Sequence, residues 1–168
     1  TSLIIYAGPR ALARIREHGL RAQDIEILPG AAGGPKALGL HGLDAALFGD
    51  WLPSAPRVRH LVGSSIGAWR FANAMRKNPV EALRHFAAVY SAQHYPRPIT
   101  KHTVTDYCQG MMHELFDDAA EDILNHPHYR LSIIAARGRG VLVQESPRGT
   151  LAGLAAAAIA NGVRRSQL

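Results

Sequence analysis

The sequence is poor in the features that would assign it quickly. It has a single cysteine, Cys108, so no disulfide can form within the chain, and a reducing compartment is the default expectation. Apolar runs such as LAAAAIA (154–160) fall far short of the roughly 20 residues that span a bilayer. No basic segment leads into an apolar one at the start, which excludes a secretory signal in these residues. Internal repeats and low-complexity linkers are lacking too. Only 19% of the 168 residues are charged while 47% are apolar, the balance of a globular domain with one sizeable core, so residues 1–168 are read as a single domain. The net charge is +6, but the basic residues sit in short clusters such as RVRH and RGRG, not in one block. That pattern reads as a solvated surface suited to anionic groups such as phospholipid headgroups, and no nucleic-acid partner is expected.

Periodicity and punctuation predict the elements. Helical spacing runs over Leu3–His18, interrupted at Gly8–Pro9 and stopped by Gly19. Ile25–Leu28 reads as a strand, Ala37–Leu47 as a helix, Pro53–Pro56 as a turn and Val58–Val62 as a second strand. Helices follow over Ala68–Lys77, Pro79 to about Ala92, Thr103–Phe116 and Asp118–Leu124, with Thr103 and Asp117 as N-caps and a break at Pro96–Pro98. The segment HPHYR reads as a turn. The continuously apolar Leu131–Ala136 reads as a third, central strand ended by Gly138–Gly140, and Gly149–Val163 as a final helix. The order of elements predicts an α/β fold with a mostly parallel sheet flanked by helices.

Two stretches carry chemistry. LVGSSIGAW (61–69) contains Gly63-Ser64-Ser65-Ile66-Gly67, a G-x-S-x-G match between a predicted strand and a predicted helix. In that context a serine sits on a sharp turn with its hydroxyl exposed, and glycines remove Cβ atoms that would collide across the bend. The Ile66 N–H, in the first helical turn, is a natural oxyanion donor. The plain alternative is a Ser/Gly cap at a strand–helix junction.

The other stretch is LPGAAGGPKALG (28–39), with a phosphate cradle, an oxyanion hole and a tight turn as its competing readings. A phosphate loop requires Gly-Lys-Ser/Thr five residues after its first glycine; here the triplet is Pro35-Lys36-Ala37, which lacks both the second glycine and the hydroxyl for Mg²⁺. The dinucleotide pattern fails as well. An oxyanion role needs backbone N–H groups near a developing negative charge, which Gly33, Gly34 and Lys36 could supply. No metal-ligand spacing is present, and no cofactor is expected.

Other residues have ordinary readings. Cys108 is expected in the core between Tyr107 and Met111. Trp51 and Trp69 are expected to pack helix on sheet, with lining of an acyl pocket as the alternative. The helical pair 79–92 and 103–116, with Phe86, Val89, Met111, Met112, Leu115 and Phe116, reads as core faces, with a membrane-facing cap as the alternative. Arg76, Lys77 and Arg84 read as a solvated face.

Ala32-Gly33-Gly34-Pro35-Lys36-Ala37, followed about one βαβ unit later by Gly63-Ser64-Ser65-Ile66-Gly67-Ala68, resembles the patatin-like phospholipases. The resemblance covers residues 25–75. Ala32 and Ala37 stand where that family usually has glycine. It implies a three-layer sandwich and a cytoplasmic lipid acyl hydrolase with peripheral membrane contact, in which Ser65 attacks a lipid ester. Gly33, Gly34, Lys36 and Ile66 would form the oxyanion hole and Gly63 and Gly67 the elbow. A serine–aspartate dyad without histidine or metal would do the chemistry. The family's aspartate lies in an Asp-Gly motif, which these 168 residues do not contain, so the reading places it beyond Leu168. None of Asp106, Asp117, Asp118 or Asp122 is assigned as the base. One alternative is a catalytically inactive domain of the same fold serving binding or regulation. The other is a Ser-His-Asp α/β-hydrolase using Asp122 and His126 or His128, in the chain order Ser–Asp–His.

Overall fold

Three short apolar runs pair in parallel: β1 (Ile27–Gly30), β2 (Arg59–Ser64) and β3 (Tyr129–Ile134), in the spatial order β1-β2-β3. The computed structural model describes residues 4–95, 97, 99–139 and 146–164. The chain forms two compact units, Thr1–Ile134 and Ala135–Leu168. The first holds the sheet and helices α1 (Pro9–His18), α2 (His41–Ala46), α3 (Ile66–Ala74), α4 (Pro79–Ser91), α5 (Lys101–Phe116) and α6 (Ala120–Leu124). The described part of the second is built on α7 (Pro147–Arg164), whose first turn is capped by Ser146: its hydroxyl accepts from Gly149 N–H at 3.0 Å.

The register decides which side chains meet. Leu28, Leu61 and Leu131 stand side by side on one face, as do Arg59 with Tyr129 and Gly30 with Gly63. That face carries the core: Leu61 is fully buried with Phe48, Leu52, Phe71, Met75, Leu83 and Tyr129. Phe48 meets Phe71 and Tyr129 edge-on at 5.9 and 5.6 Å, a favourable aromatic geometry. Helix α3 packs across all three strands and is itself packed by α4. On the opposite face Ile27, His60, Arg130, Ser132 and Ile134 are exposed. Parallel strands added in one direction by right-handed crossovers place their connections on the same side. The unit is thus an α/β fold built on a small parallel sheet with helices, the coarse class expected.

Several boundaries move for local reasons. Residues 4–8 are not helical, and α1 opens at Pro9, whose fixed φ and missing N–H suit a first helical position. Ala37–Leu47 is not one helix. It is a 3₁₀ segment over Gly34–Leu40, then α2, then a π-helical turn over Leu47–Trp51. Helix α5 starts before Thr103: Thr100 is the N-cap and Thr103 its reciprocal partner in a capping box. Asp117 ends α5 and pairs with His113 at 3.0 Å, and does not cap α6. β3 is an edge strand in the described sheet, not a central one, and its Ile133 and Ile134 are 65% and 60% exposed. Cys108 is exposed on α5, contrary to the expected core position. The expected breaks at Pro96–Pro98 and at Gly140 involve residues outside those described.

At the N-terminal rim of the sheet Arg59 is almost completely buried. Its guanidinium donates to the carbonyls of Ile25 (3.1 Å), Ala22 (2.9 Å) and Ala55 (2.8 Å), and burial lowers its pKa from the usual value. Beside it, His126 Nδ1 accepts from the backbone N–H groups of His128 (3.1 Å) and Tyr129 (3.0 Å), which fixes the entry to β3.

Candidate active site

β2 ends at Ser64 and α3 begins at Ile66, so a single residue makes the turn. Ser65 has φ 51 and ψ −127, and among the described residues it is the one non-glycine with positive φ. An L-residue held there costs about 1–3 kcal/mol, a strain that surrounding structure must impose. Here the imposing contacts are visible. A Cβ on Gly63 would lie 2.5 Å from Ala68 Cα, and a Cβ on Gly67 would collide with the Gly30 carbonyl. The two glycines let helix and strands approach to contact distance, and the bend between them falls on Ser65. Its side chain is exposed and makes no capping hydrogen bond, while its carbonyl accepts from Ala68 N–H at 2.9 Å. The amides of Ile66 and Gly67 open α3, where helix geometry leaves N–H groups without intrahelical partners.

The glycine loop reaches the same rim. β1 ends at Gly30, which pairs in register with Gly63, and both strands run in parallel toward their loops. Gly67 packs directly on the backbone of Gly30 and Ala31. The loop then bends through Gly33 (φ −175) and Gly34 (φ 54). The left-handed value at Gly34 is one that glycine adopts without cost. Pro35 and the exposed Lys36 follow in the 3₁₀ turn. Gly33, Gly34, Gly63, Ser65, Ile66 and Gly67 thus stand on one rim, the C-terminal edge where sites in open parallel sheets form.

Beneath the two loops lies a second apolar cluster, in which Ala37 and Ile66 pack with Phe86, Met111 and Leu115. Trp69 stacks on Phe86 (6.4 Å, 11°) and tilts against Phe116 at 5.6 Å, so it packs α3 against α4 and α5 and not, as expected, against the sheet. Tyr90 meets Phe86 edge-on, and its hydroxyl would lie 4.0 Å from a Cβ on Gly34. Burial, and to a lesser degree the neighbouring Cys108, raise the Tyr90 pKa above the ordinary phenol value.

A buried ion pair ties the helices that follow the two loops. Arg70 of α3 donates to both carboxylate oxygens of Asp44 in α2, at 2.6 and 2.5 Å. Sequence reading missed this pair, and it missed Gly30, whose missing Cβ leaves room for the Phe71 ring (2.6 Å from that position).

The triad alternative is not assembled. His126 and His128 precede β3, level with the start of β2, while Ser65 follows the end of β2. At about 3.3 Å per residue the strand's length separates them. Other aspartates face cations: Asp118 meets Arg76 at 2.6 Å, Asp122 meets Lys77 at 3.8 Å, and Asp24 meets Arg14 at 2.6 Å. Among the described residues no group of three His, Cys, Asp or Glu side chains could hold a metal ion. No described helix is long and apolar enough to cross a membrane.

The sequence matches no protein-family model, no curated protein and no solved structure.

Proposed function

We propose that the chain is a patatin-like serine acyl hydrolase acting on carboxylic esters of lipids, and the observation that carries this is the backbone of Ser65. A strained, solvent-facing serine between a parallel strand and a helix N-terminus is what nucleophilic attack on a carbonyl requires. Ser65 Oγ adds to the ester carbonyl carbon, and the carbonyl oxygen becomes an oxyanion. The N–H of Ile66 and those of Gly33 and Gly34 donate to it, with Lys36 adding positive charge; such donors are worth about 3–4 kcal/mol each in acyl transfer. Collapse of the adduct expels the alcohol and leaves an acyl-Ser65 ester, which water hydrolyses to the carboxylic acid and free Ser65. The proton of Ser65 goes to the aspartate that the family resemblance implies, which passes it to the departing alcohol, then takes one from the attacking water and returns it to Ser65; an aspartate in an Asp-Gly motif is not among these 168 residues.

The second reading is a domain of this kind that binds and does not turn over. One measurement separates them. A fluorophosphonate probe should label the wild-type full-length protein, and Ser65→Ala should abolish both labelling and ester hydrolysis while the circular dichroism spectrum stays unchanged. An unlabelled, folded wild type would favour the binding reading, and full esterase activity in Ser65→Ala would refute the assignment.

A further inference from the structure

At the N-terminal rim, the length of β2 away from Ser65, a cleft of about 740 Å³ opens beside the entry to β3. That volume falls in the range of small-molecule sites, about 300–1,000 Å³. Its floor is the apolar core, with Phe48, Leu52, Met75 and Tyr129. One full charge is set into that floor. Arg59 lines the cleft and is only 1% exposed. Its Nε and Nη2 donate to the carbonyls of Ile25, Ala22 and Ala55, which leaves Nη1 with no hydrogen-bond partner among the described residues. No carboxylate acts on this guanidinium, and the neighbouring charge that does, Arg57, has the same sign. A buried charge is ordinarily paired, because desolvation without a counter-charge is costly. His126 lines the same cleft. Its Nδ1 accepts from two amides, which assigns the ring proton to Nε2, a second donor without a partner among the described residues. The charges at the mouth are already matched. Arg76 is spent on Asp118 and the Leu115 carbonyl, Lys77 faces Asp122 at 3.8 Å, and Glu121 adds one more carboxylate. The uncompensated charge of the cleft is therefore that of Arg59.

We propose that this cleft binds a small monocarboxylate with an apolar body, its carboxylate at Arg59 Nη1 and His126 Nε2 and its body on Phe48, Leu52 and Met75. A carboxylate brings two oxygens to two donors and one negative charge to one positive. Inorganic phosphate fits less well: its further oxygens would face Glu121 and Asp122, and it gains nothing from the apolar floor. The site lies on the rim opposite Ser65 and stands whether or not Ser65 is a nucleophile.

Sodium benzoate is the probe, read by nuclear magnetic resonance on the isotope-labelled wild-type chain. Benzoate should shift the amides of His128 and Tyr129 and the ring of His126 saturably, and leave the amides of Ser65, Ile66 and Gly67 in place. Benzamide has the same shape without the charge. It should bind about tenfold more weakly or worse, because hydrogen bonds to a charged acceptor are roughly twice as strong as neutral ones. Arg59→Met strands three carbonyls, so it is informative only where it folds, and there it should lose benzoate binding; the wild-type comparison decides without it. The proposal is overturned by shifts that do not saturate or that map to the Ser65 rim, by benzamide binding as tightly as benzoate, or by sodium phosphate displacing benzoate at an equal concentration. Undiminished benzoate binding in a folded Arg59→Met protein would overturn it as well.

Discussion

At Ser65 two energies oppose each other. Holding a side-chain-bearing residue at φ 51 costs about 1–3 kcal/mol, whereas glycine at the same place forfeits about 0.5–1 kcal/mol of chain entropy. The first term is the larger, so Ser65→Gly is expected to stabilise the protein by about 1 kcal/mol, and Ser65→Ala to leave stability nearly unchanged. Urea unfolding of the three proteins checks both. The turn at Ser65 was legible because the glycines on either side of it mark a sharp strand-to-helix bend, and the close approach of Gly63 to Ala68 lies within a few residues. Gly30 was not, since the demand on it comes from the Phe71 ring, distant in sequence. Cys108 was misread for a geometric reason. Tyr107, Met111 and Leu115 recur every four residues and form the inward stripe of α5, with Met111 and Leu115 buried, and one residue along the helix turns Cys108 out of it.

At the scale of elements, the two loops are held by different devices, and glycine substitutions should separate them. Gly67→Ala drives a methyl into the Gly30 carbonyl and is expected to cost about 3 kcal/mol or more. Gly33→Ala meets nothing within 4 Å at an extended φ, so stability should stay within about 0.5 kcal/mol. Thermal melts of the two variants give the comparison. The Asp44–Arg70 pair joins α2 to α3, and breaking a buried pair strands a charge. Arg70→Met alone should therefore cost about 3–5 kcal/mol, and adding Asp44→Leu should restore most of it. A double-mutant cycle in urea that showed additivity would mean the two side chains do not depend on each other. Element types were legible from periodicity and from Gly and Pro. The 3₁₀ and π segments around α2 were not, because local winding there answers to the packing of Ala37 and Phe48, which sequence spacing does not report. β3 was misplaced because an apolar run is equally compatible with a central strand and with an edge.

Across the whole molecule the sheet's rims divide the work. The C-terminal rim stores strain and open amides, and the N-terminal rim is tied by side chains bonded to the backbone. His126 belongs to the second. Burial lowers its pKa from the ordinary 6.5, and the positive charges of His128 and Arg130 act in the same direction. Its Nδ1 is already an acceptor for two amides, so a proton there would break both bonds. Since the unfolded chain takes up this proton more readily than the folded one, the contribution is complete above about pH 6.5 and is lost as the pH falls below it toward the lower folded-state value. Melting temperatures from about pH 8 to pH 5 should decline in the wild type, and less steeply in His126→Asn.

Arg59 has a consequence for assembly. Its three carbonyl partners come from two stretches of chain, the turn Ala22–Ile25 and Ala55. A partly built intermediate with β2 docked and either of those stretches astray would trap an unsolvated guanidinium. The first sixty residues are thereby penalised for folding piecemeal, and the arginine works as a checkpoint that favours all of them arriving together.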